Sequence, residues 1–203
     1  MCHVAHRLWD RGIIGGAEGN LSCRLDDSSL LTTPSGFIKR DLTPDDLVVV
    51  DLEGSPIGAG KPSSEIGLHT RVYRHRRDCQ AVIHAHPPTA TAFGIAGREI
   101  PDDVLPEAGF YLGSVAMVRF AIPGAADLGD AIEPLLADHK TFILRNHGAV
   151  TLGLTLDDAY VRMETLERVA QMLYMAERLG GVQKMPPEGI EWLRKIGLNA
   201  DLG

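Results

Sequence analysis

Three histidines of this chain stand where they could bind one metal ion. His84 and His86 close an apolar run that begins at Gln80, and side chains two residues apart in a strand project from the same face, so the two imidazoles should lie side by side. His147 follows another apolar run and precedes a glycine, at the kind of strand end where α/β folds expose functional side chains. Such a set offers three nitrogen ligands for zinc or a similar divalent ion, with a position left open for water or substrate.

Two alternatives remain open on these residues alone. His84 and His86 could end a strand with both rings hydrogen-bonded to the backbone, which is the commoner role of an isolated His-x-His pair. Nitrogen ligands without thiolates also suit manganese or cobalt, so the ligand set favours a divalent metal without selecting its identity. The remaining histidines lie in a predicted helix, in a polar turn or near the N-terminus: His69, His75, His139, His3 and His6.

Loop segments rich in hydroxyl groups or glycine could bind an anion beside the metal. They span residues 15–22, 32–36 and 60–65. Glycine lets a ligand approach the main chain, and a serine cap leaves the free N–H groups of a helix start pointing outward. The structural interpretation of the same residues is that Ser63 and Ser64 are helix caps, Gly36 a turn glycine and Asn20 a loop cap, while Glu65 favours the helix dipole whatever its function.

The hydrophobic patterns predict short strands alternating with helices, which must position these side chains. Strands are expected at 21–24, 30–33, 47–52, 80–86, 115–120, 141–145 and 150–152, with a further strand at Ile57. Helices are expected at 1–12, 88–96, 125–136, 155–180 and 189–196, with one more opened by 60–65 and running to about 77. The segment from 97 to 113 has no clear periodicity.

The composition indicates a single domain, 1–203, in a reducing compartment. The chain has 203 residues, 44% hydrophobic, and a formal charge of −7, which argues against a nucleic-acid groove or a polybasic membrane arm. Three cysteines without a Cys-x-x-Cys pair argue against a disulfide framework and a thiolate zinc site. No segment approaches the ~20 apolar residues of a membrane helix, so we expect a cytoplasmic protein with neither membrane nor nucleic acid as partner.

Five ordered motifs together resemble the class II aldolase/epimerase superfamily, whose members include L-fuculose-1-phosphate aldolase and L-ribulose-5-phosphate 4-epimerase. The resemblance covers about residues 1 to 180, and five motifs in order are far more specific than any one of them. They are Gly19-Asn20-Leu21-Ser22, Thr33-Pro34-Ser35-Gly36, Lys61-Pro62-Ser63-Ser64-Glu65, His84-Ala85-His86-Pro87 and Asn146-His147-Gly148.

The resemblance implies a fold and a role for each matching position. The family fold is a three-layer α/β/α arrangement, a central and mainly antiparallel β-sheet with helices on both faces, and its members are usually homotetramers with sites near subunit interfaces. Glu65 matches the carboxylate that binds the resting metal and acts as acid/base. The metal ligands are then His84, His86, His147 and Glu65, and the phosphate-binding residues are Gly19, Asn20, Ser35, Gly36, Ser63 and Ser64.

The expected reaction is cleavage of a ketose 1-phosphate of the fuculose, rhamnulose or ribulose type into dihydroxyacetone phosphate and an aldehyde. A divalent cation, zinc first, would stabilise the enediolate as a Lewis acid, so no lysine Schiff base is needed. Where many members carry a tyrosine before alanine, this chain has Arg119-Phe120-Ala121. Tyr111 does not align clearly with the aldolase's general-acid tyrosine, and Glu107 is the other candidate.

Two other functions stay open. A decarboxylase or dehydratase of the same superfamily would use the metal to stabilise an enolate, and a cation such as Arg119 or Arg145 facing the metal would favour it. A non-catalytic module like the adducin head domain would share the fold but has no reason to keep the histidines, Glu65 and the phosphate loops together. The two catalytic alternatives together predict that the substrate is a phosphorylated sugar or a related acid.

Overall fold

The computed structural model describes residues 1–124 and 126–199. The predicted single domain 1–203 and the predicted helix 125–136 both include positions outside the described residues. The helices are α1 (Cys2–Asp10), α2 (Ile66–His75), α3 (Pro88–Ala96), α4 (Ala126–Ile132), α5 (Leu156–Arg178) and α6 (Pro187–Asn199). The strands are β1 (Asn20–Arg24), β2 (Ser29–Thr32), β3 (Val48–Asp51), β4 (Ala81–Ala85), β5 (Val115–Val118), β6 (Thr141–Leu144) and β7 (Gly148–Gly153).

The strands form one seven-stranded sheet in the order β3-β2-β1-β4-β7-β6-β5. Only β5 and β6 pair in parallel, and every other neighbouring pair is antiparallel. The sheet is thus mixed and mainly antiparallel. The central strand β4 is buried along its whole length, which its continuous apolar run requires because both faces are covered.

Helices cover the sheet on both sides, so the expected three-layer α/β/α arrangement is confirmed. One apolar core joins α1, α3 and α5 to side chains of one sheet face, among them Leu21, Ile83 and Ile143. A second core joins α2 and α4 to the opposite face through Val82 and Phe142. Neighbouring positions on β4 contribute to different cores, as the alternation of side chains along a strand demands.

Local differences from the sequence expectation have physical causes. The strand expected at Ile57 is absent from the described residues. A single bridge joins Val50 to Pro56 there, and the Ile57 side chain is half exposed and so adds little burial to hold a strand. Residues 60–65 precede α2 as a loop, because Pro62 pairs with Pro34 instead of entering the helix. The segment 97–113 contains a π-helical turn at Ala108–Leu112. None of the described helices is long and apolar enough to cross a membrane.

Candidate metal centre

Strand alternation and register direct His84 toward helix α2. Ala81, Ile83 and Ala85 point into the core under α5, so His84 projects with Val82 from the other face of the sheet. His84 pairs with Asn20 on the neighbouring strand β1, and paired residues of an antiparallel ladder present their side chains on the same face. The imidazole and the carboxamide of this pair therefore both face the beginning of α2.

A tight turn between β6 and β7 presents His147. Asn146 has a φ of 56°, a left-handed conformation that asparagine tolerates better than most residues. Gly148 follows, and a Cβ atom there would lie 2.5 Å from the Ala85 carbonyl oxygen and 2.6 Å from Cδ2 of His86. The Asn-His-Gly order thus has a local reason. Asn146 forms the turn, His147 projects toward the other histidines, and Gly148 lets the end of β4 approach the start of β7.

The three imidazoles form a compact cluster. Their ring centroids are 4.7 to 5.1 Å apart, and one ligand nitrogen from each ring lies within 4.8 Å of the others. The Nε2 atoms of His84 and His86 lie 3.2 Å apart. The alternative that the pair is held only by backbone hydrogen bonds does not describe this arrangement, because His84 and His86 each turn a second nitrogen toward the cluster.

Hydrogen bonds on the far side of two rings fix their tautomers. Nδ1 of His84 donates to the carbonyl oxygen of Ala149 at 2.9 Å, and Nδ1 of His86 donates to the Glu18 carboxylate at 3.0 Å. Neutral imidazole carries one proton, so both Nε2 atoms are bare acceptors that face each other. Burial, followed by the neighbouring His84, lowers the pKa of His86 and favours this neutral form.

Glu65 brings a carboxylate into the same cluster from the residue that precedes α2. Its Oε2 lies 3.3 Å from Nε2 of His84 and its Oε1 lies 3.3 Å from Nε2 of His147. Asn20 donates a hydrogen bond from Nδ2 to Oε2 at 2.9 Å. Burial raises the pKa of Glu65, and the hydrogen bond from Asn20 lowers it, so this bond favours the ionised carboxylate.

The donor set fits a divalent cation. Nε2 of His84 lies 3.2 Å from Nε2 of His86 and 3.3 Å from Oε2 of Glu65. Because His84 carries its proton on Nδ1, neither of these short contacts to His84 Nε2 contains a proton from His84. The buried Oε1 of Glu65 has no hydrogen-bond partner among the described residues. A cation held by His84, His86, His147 and Glu65 would satisfy all of these lone pairs, and three imidazoles with one carboxylate is a common ligand set for zinc-like ions.

Loops expected to bind phosphate lie together beside this cluster. The bridge between Pro34 and Pro62 joins two of them, with Ser35 donating its backbone N–H to Lys61 at 3.0 Å. Ser63 is buried and Ser64 exposed, and the Ser63 hydroxyl accepts from the backbone N–H of Glu65 at 3.3 Å. The third loop reaches them through the contact between Asn20 and Glu65.

Gly19 and Gly36 have left-handed backbones in these loops. Gly19 has a φ of +69°, and a Cβ there would lie 3.0 Å from the His84 carbonyl oxygen, so glycine lets its loop approach β4. Gly36 has a φ of +74° and open space around the missing Cβ. The roles of both glycines in phosphate binding remain a prediction.

Sequence reasoning missed Glu18 and His69. Glu18 lies in the glycine-rich loop and orients His86. His69 is fully buried and contacts Asn20 and Ser22, although its place in a helix gave it no role in the sequence analysis. The signal that could have revealed it is its spacing, four residues after Glu65 and therefore on the same helix face.

The candidates for a second general acid or a substrate-binding cation have other contacts. The Tyr111 ring packs on Phe110, and Glu107 is exposed. Arg119 donates to Asp127 at 2.8 Å. The guanidinium of Arg145 lies next to Gly97, at the C-terminal end of α3.

The chain matches the family described as the class II aldolase and adducin N-terminal domain over residues 1–174 and belongs to it. This confirms the resemblance carried by the five motifs. The crystal structure of YgbL from Escherichia coli superposes with a TM-score of 0.88 at 32% identity, covering 96% of this chain and 95% of that one. The fold is therefore that of the class II aldolases.

Named relatives of similar identity carry out two different reactions. The chain is 34% identical to the L-fuculose phosphate aldolase of Methanococcus maripaludis strain C5, over 87% of this chain and 95% of that protein. It is 35% identical to the 3-oxo-tetronate 4-phosphate decarboxylase of Pectobacterium atrosepticum, over 86% of this chain and 82% of that protein. Both names describe lyases that break a carbon–carbon bond, so a lyase-type activity is supported.

Proposed function

We propose that this protein is a metal-dependent aldolase that cleaves a ketose 1-phosphate into dihydroxyacetone phosphate and an aldehyde. The observation that carries the proposal is the convergence of three imidazoles and the Glu65 carboxylate at the edge of three loops suited to phosphate. The aldolase name and the phosphorylated substrate of the Methanococcus relative support the reaction class.

Glu65 is the proposed acid/base. A divalent cation at this site supplies Lewis-acid stabilisation of the negative charge that develops on the substrate oxygens when the carbon–carbon bond breaks. In cleavage, the protonated form of Glu65 donates its proton to the carbon left with the electron pair and becomes a carboxylate; in the synthetic direction the carboxylate removes that proton. Its oxygens lie 3.3 Å from Nε2 of His84 and of His147, so the carboxylate is positioned to reach a substrate bound at this site.

Phosphate recognition is assigned to Gly19, Asn20, Ser35, Gly36, Ser63 and Ser64. The loop pairing at Pro34 and Pro62 supports this assignment, since it joins the Ser35 and Ser63 loops into one surface. Hydroxyl groups and main-chain N–H groups bind phosphate without adding positive charge, which agrees with the acidic composition of the chain. Asn20 has a second N–H on Nδ2 beyond the one that Glu65 accepts.

Decarboxylation of a phosphorylated sugar acid is the second candidate. The Pectobacterium relative supports it directly, and its reaction needs the same electron sink. A decarboxylase also needs a group that holds the substrate carboxylate, yet Arg119 pairs with Asp127 and Arg145 lies beside Gly97. Neither arginine has a contact with the histidine cluster among the described residues, so the aldolase is proposed first. We find no contact that favours a dehydratase among the described residues, and an adducin-like module without catalysis would not need the ionised Glu65 among three histidines.

The remaining assignments follow the family and the ligand chemistry. We propose zinc as the metal, with manganese or cobalt as alternatives, because imidazole and carboxylate ligands accept all three. We also propose a cytoplasmic homotetramer whose sites lie near subunit interfaces, and such an interface could supply the second general acid that Tyr111 and Glu107 do not obviously provide.

Parallel product assays test the reaction. Metal-loaded protein is incubated with the 1-phosphates of fuculose, rhamnulose and ribulose, and dihydroxyacetone phosphate is measured by its enzymatic reduction. Carbon dioxide release from 3-oxo-tetronate 4-phosphate is measured alongside, with unphosphorylated sugars and the Glu65→Gln protein as controls. Dihydroxyacetone phosphate from one ketose 1-phosphate supports the aldolase. Carbon dioxide alone would replace it with the decarboxylase, and neither product would refute both.

A further inference from the structure

A buried line of polar side chains runs from the metal centre into the core between β1 and α2. Asn20 and Ser22 project from alternate positions of β1. Glu65, His69 and Tyr73 recur every four residues along the α2 side that faces them. Asn20, Ser22, His69 and Tyr73 are each at most 3% exposed, so their polar atoms depend on one another for hydrogen bonds.

The contacts along this line are continuous. Nδ2 of Asn20 lies 2.9 Å from Oε2 of Glu65, and Oδ1 of Asn20 lies 2.5 Å from Nε2 of His69. Nδ1 of His69 lies 2.6 Å from the Ser22 hydroxyl, which in turn lies 2.9 Å from the Tyr73 hydroxyl. None of these four contacts was expected from the motifs, which assigned Asn20 to phosphate and left His69 and Tyr73 without a role.

Counting protons gives the line one direction. The Glu65 carboxylate only accepts, so Asn20 must turn its NH₂ group toward Glu65 and its oxygen toward His69. The amide oxygen also only accepts, so His69 carries its proton on Nε2. Since burial keeps His69 neutral, its Nδ1 accepts from Ser22, and Ser22 accepts from Tyr73. Each hydrogen bond therefore has one donor and one acceptor, and the donors all point in one direction, from Tyr73 through Ser22, His69 and Asn20 to Glu65.

We propose that His69 is a positioning residue that holds the Asn20 carboxamide in the orientation which donates to Glu65, and thereby fixes that carboxylate between His84 and His147. A flipped amide would place its oxygen against the Glu65 oxygen and its NH₂ group against the N–H of His69. His69 therefore acts on the metal centre without touching it. The proposal rests on the proposed function, because it concerns the carboxylate assigned as acid/base.

Two substitutions of His69 separate positioning from packing. The amide nitrogen of glutamine can reach the place of Nε2, so His69→Gln retains a donor toward Asn20. Asparagine reaches only the place of Nδ1, so His69→Asn retains the contact with Ser22 and loses the one with Asn20. His75→Gln on the same helix is the matched control, since His75 is exposed and pairs with Glu133.

The primary measurement is the affinity for Zn²⁺ in the absence of substrate, by competition with a chromophoric chelator. We expect His69→Asn to weaken Zn²⁺ binding by about tenfold or more, as loss of residues that orient metal ligands typically does, while His69→Gln and His75→Gln stay within about threefold of wild type. With an active substrate, kcat of the zinc-loaded His69→Asn protein should fall more than its KM rises. Equal losses of Zn²⁺ affinity in the glutamine and asparagine proteins, or none in either, would overturn the proposal.

Asn20→Ala keeps the test decisive if His69→Asn does not fold. This variant removes the link itself and must lose Zn²⁺ affinity to a similar extent, and an affinity equal to wild type would refute the positioning role. Where both variants fold, the double variant should bind Zn²⁺ no more weakly than Asn20→Ala alone, whereas additive losses would show that His69 acts independently. Since Zn²⁺ binding is measured without substrate, failure of the aldolase assay leaves this test intact.

Discussion

The Nε2 atoms of His84 and His86 lie 3.2 Å apart. In both neutral rings the single proton is on Nδ1, which donates to the Ala149 carbonyl oxygen in His84 and to the Glu18 carboxylate in His86. Two bare nitrogens at this separation repel each other unless a cation lies between them and their neighbours. Glu65 adds a third acceptor 3.3 Å from His84. A cation bound between these nitrogen and oxygen atoms would account for their short separations, whereas a hydrogen bond would not.

Replacing Glu65 with glutamine should separate metal binding from turnover. Glutamine keeps an oxygen that can contact a metal, so some Zn²⁺ is retained, whereas it cannot exchange a proton with a carbon. Loss of a positioned acid/base typically costs 10²–10⁴-fold in rate, so we expect kcat to fall by at least about 10². Steady-state kinetics with bound Zn²⁺ measured in the same sample checks this. Unchanged kcat would remove Glu65 from the acid/base role.

Substituting Glu18 should weaken Zn²⁺ binding through His86. Glu18→Gln replaces the charged acceptor of the His86 Nδ1–H with a neutral one, which lowers the basicity of the ring and loosens its orientation. Loss of such a carboxylate partner typically lowers metal affinity 10- to 100-fold, so about a tenfold drop is expected in chelator competition. Asp157→Asn on α5 is the control, since its side chain is 78% exposed. An affinity equal to the control would contradict the role of Glu18.

The turn that presents His147 should depend on the left-handed backbone of residue 146. Asn146→Gly relieves the strain at a φ of 56°, so stability and Zn²⁺ affinity should be kept. Asn146→Ala places a side chain without local hydrogen bonding there and should cost about 1 kcal/mol of unfolding free energy. Urea unfolding of the two proteins measures the difference. Equal free energies of unfolding for Asn146→Gly and Asn146→Ala would contradict this prediction.

Acid should destabilise the folded chain through His69. Burial lowers its folded-state pKa from 6.5 to about 3, so below pH 6.5 the unfolded chain binds a proton that the folded chain excludes. The contribution of His69 to stability is therefore complete above pH 6.5 and falls by up to about 1.4 kcal/mol per pH unit between pH 6.5 and about 3. Urea unfolding with chelator present, at pH 7 and pH 5, should show a steeper loss for wild type than for His69→Gln. Parallel losses would show that His69 is charged when folded.

Local periodicity predicted most strands of the sheet, and the spacing of two residues predicted that His84 and His86 would lie close together. The apolar run before His84 predicted a strand, and the structure shows that this strand is buried along its whole length. The motif order then linked the two histidines to Glu65 and His147 through the family. The start of α2 was wrong because Pro62 pairs with Pro34 across the fold, a contact that no local pattern encodes.

Contacts between distant elements were the part that could not be predicted. His69 gained its role from the register of β1 against α2, which brings Asn20 and Ser22 to it from 49 and 47 residues away. Glu18 lay in a loop whose glycines dominated its interpretation, while its carboxylate reaches His86 across 68 residues. Side-chain partners at such separations follow from the tertiary arrangement alone.

The metal content of the purified protein tests the central claim most directly. Protein without an affinity tag, prepared without chelator, is analysed by elemental mass spectrometry beside His84→Ala, with circular dichroism to confirm that both are folded. We expect about one divalent metal ion per wild-type chain and nearly none in His84→Ala. A wild-type stoichiometry near zero, restored by none of Zn²⁺, Mn²⁺ and Co²⁺, or equal metal in the two proteins, would contradict the three-histidine metal centre.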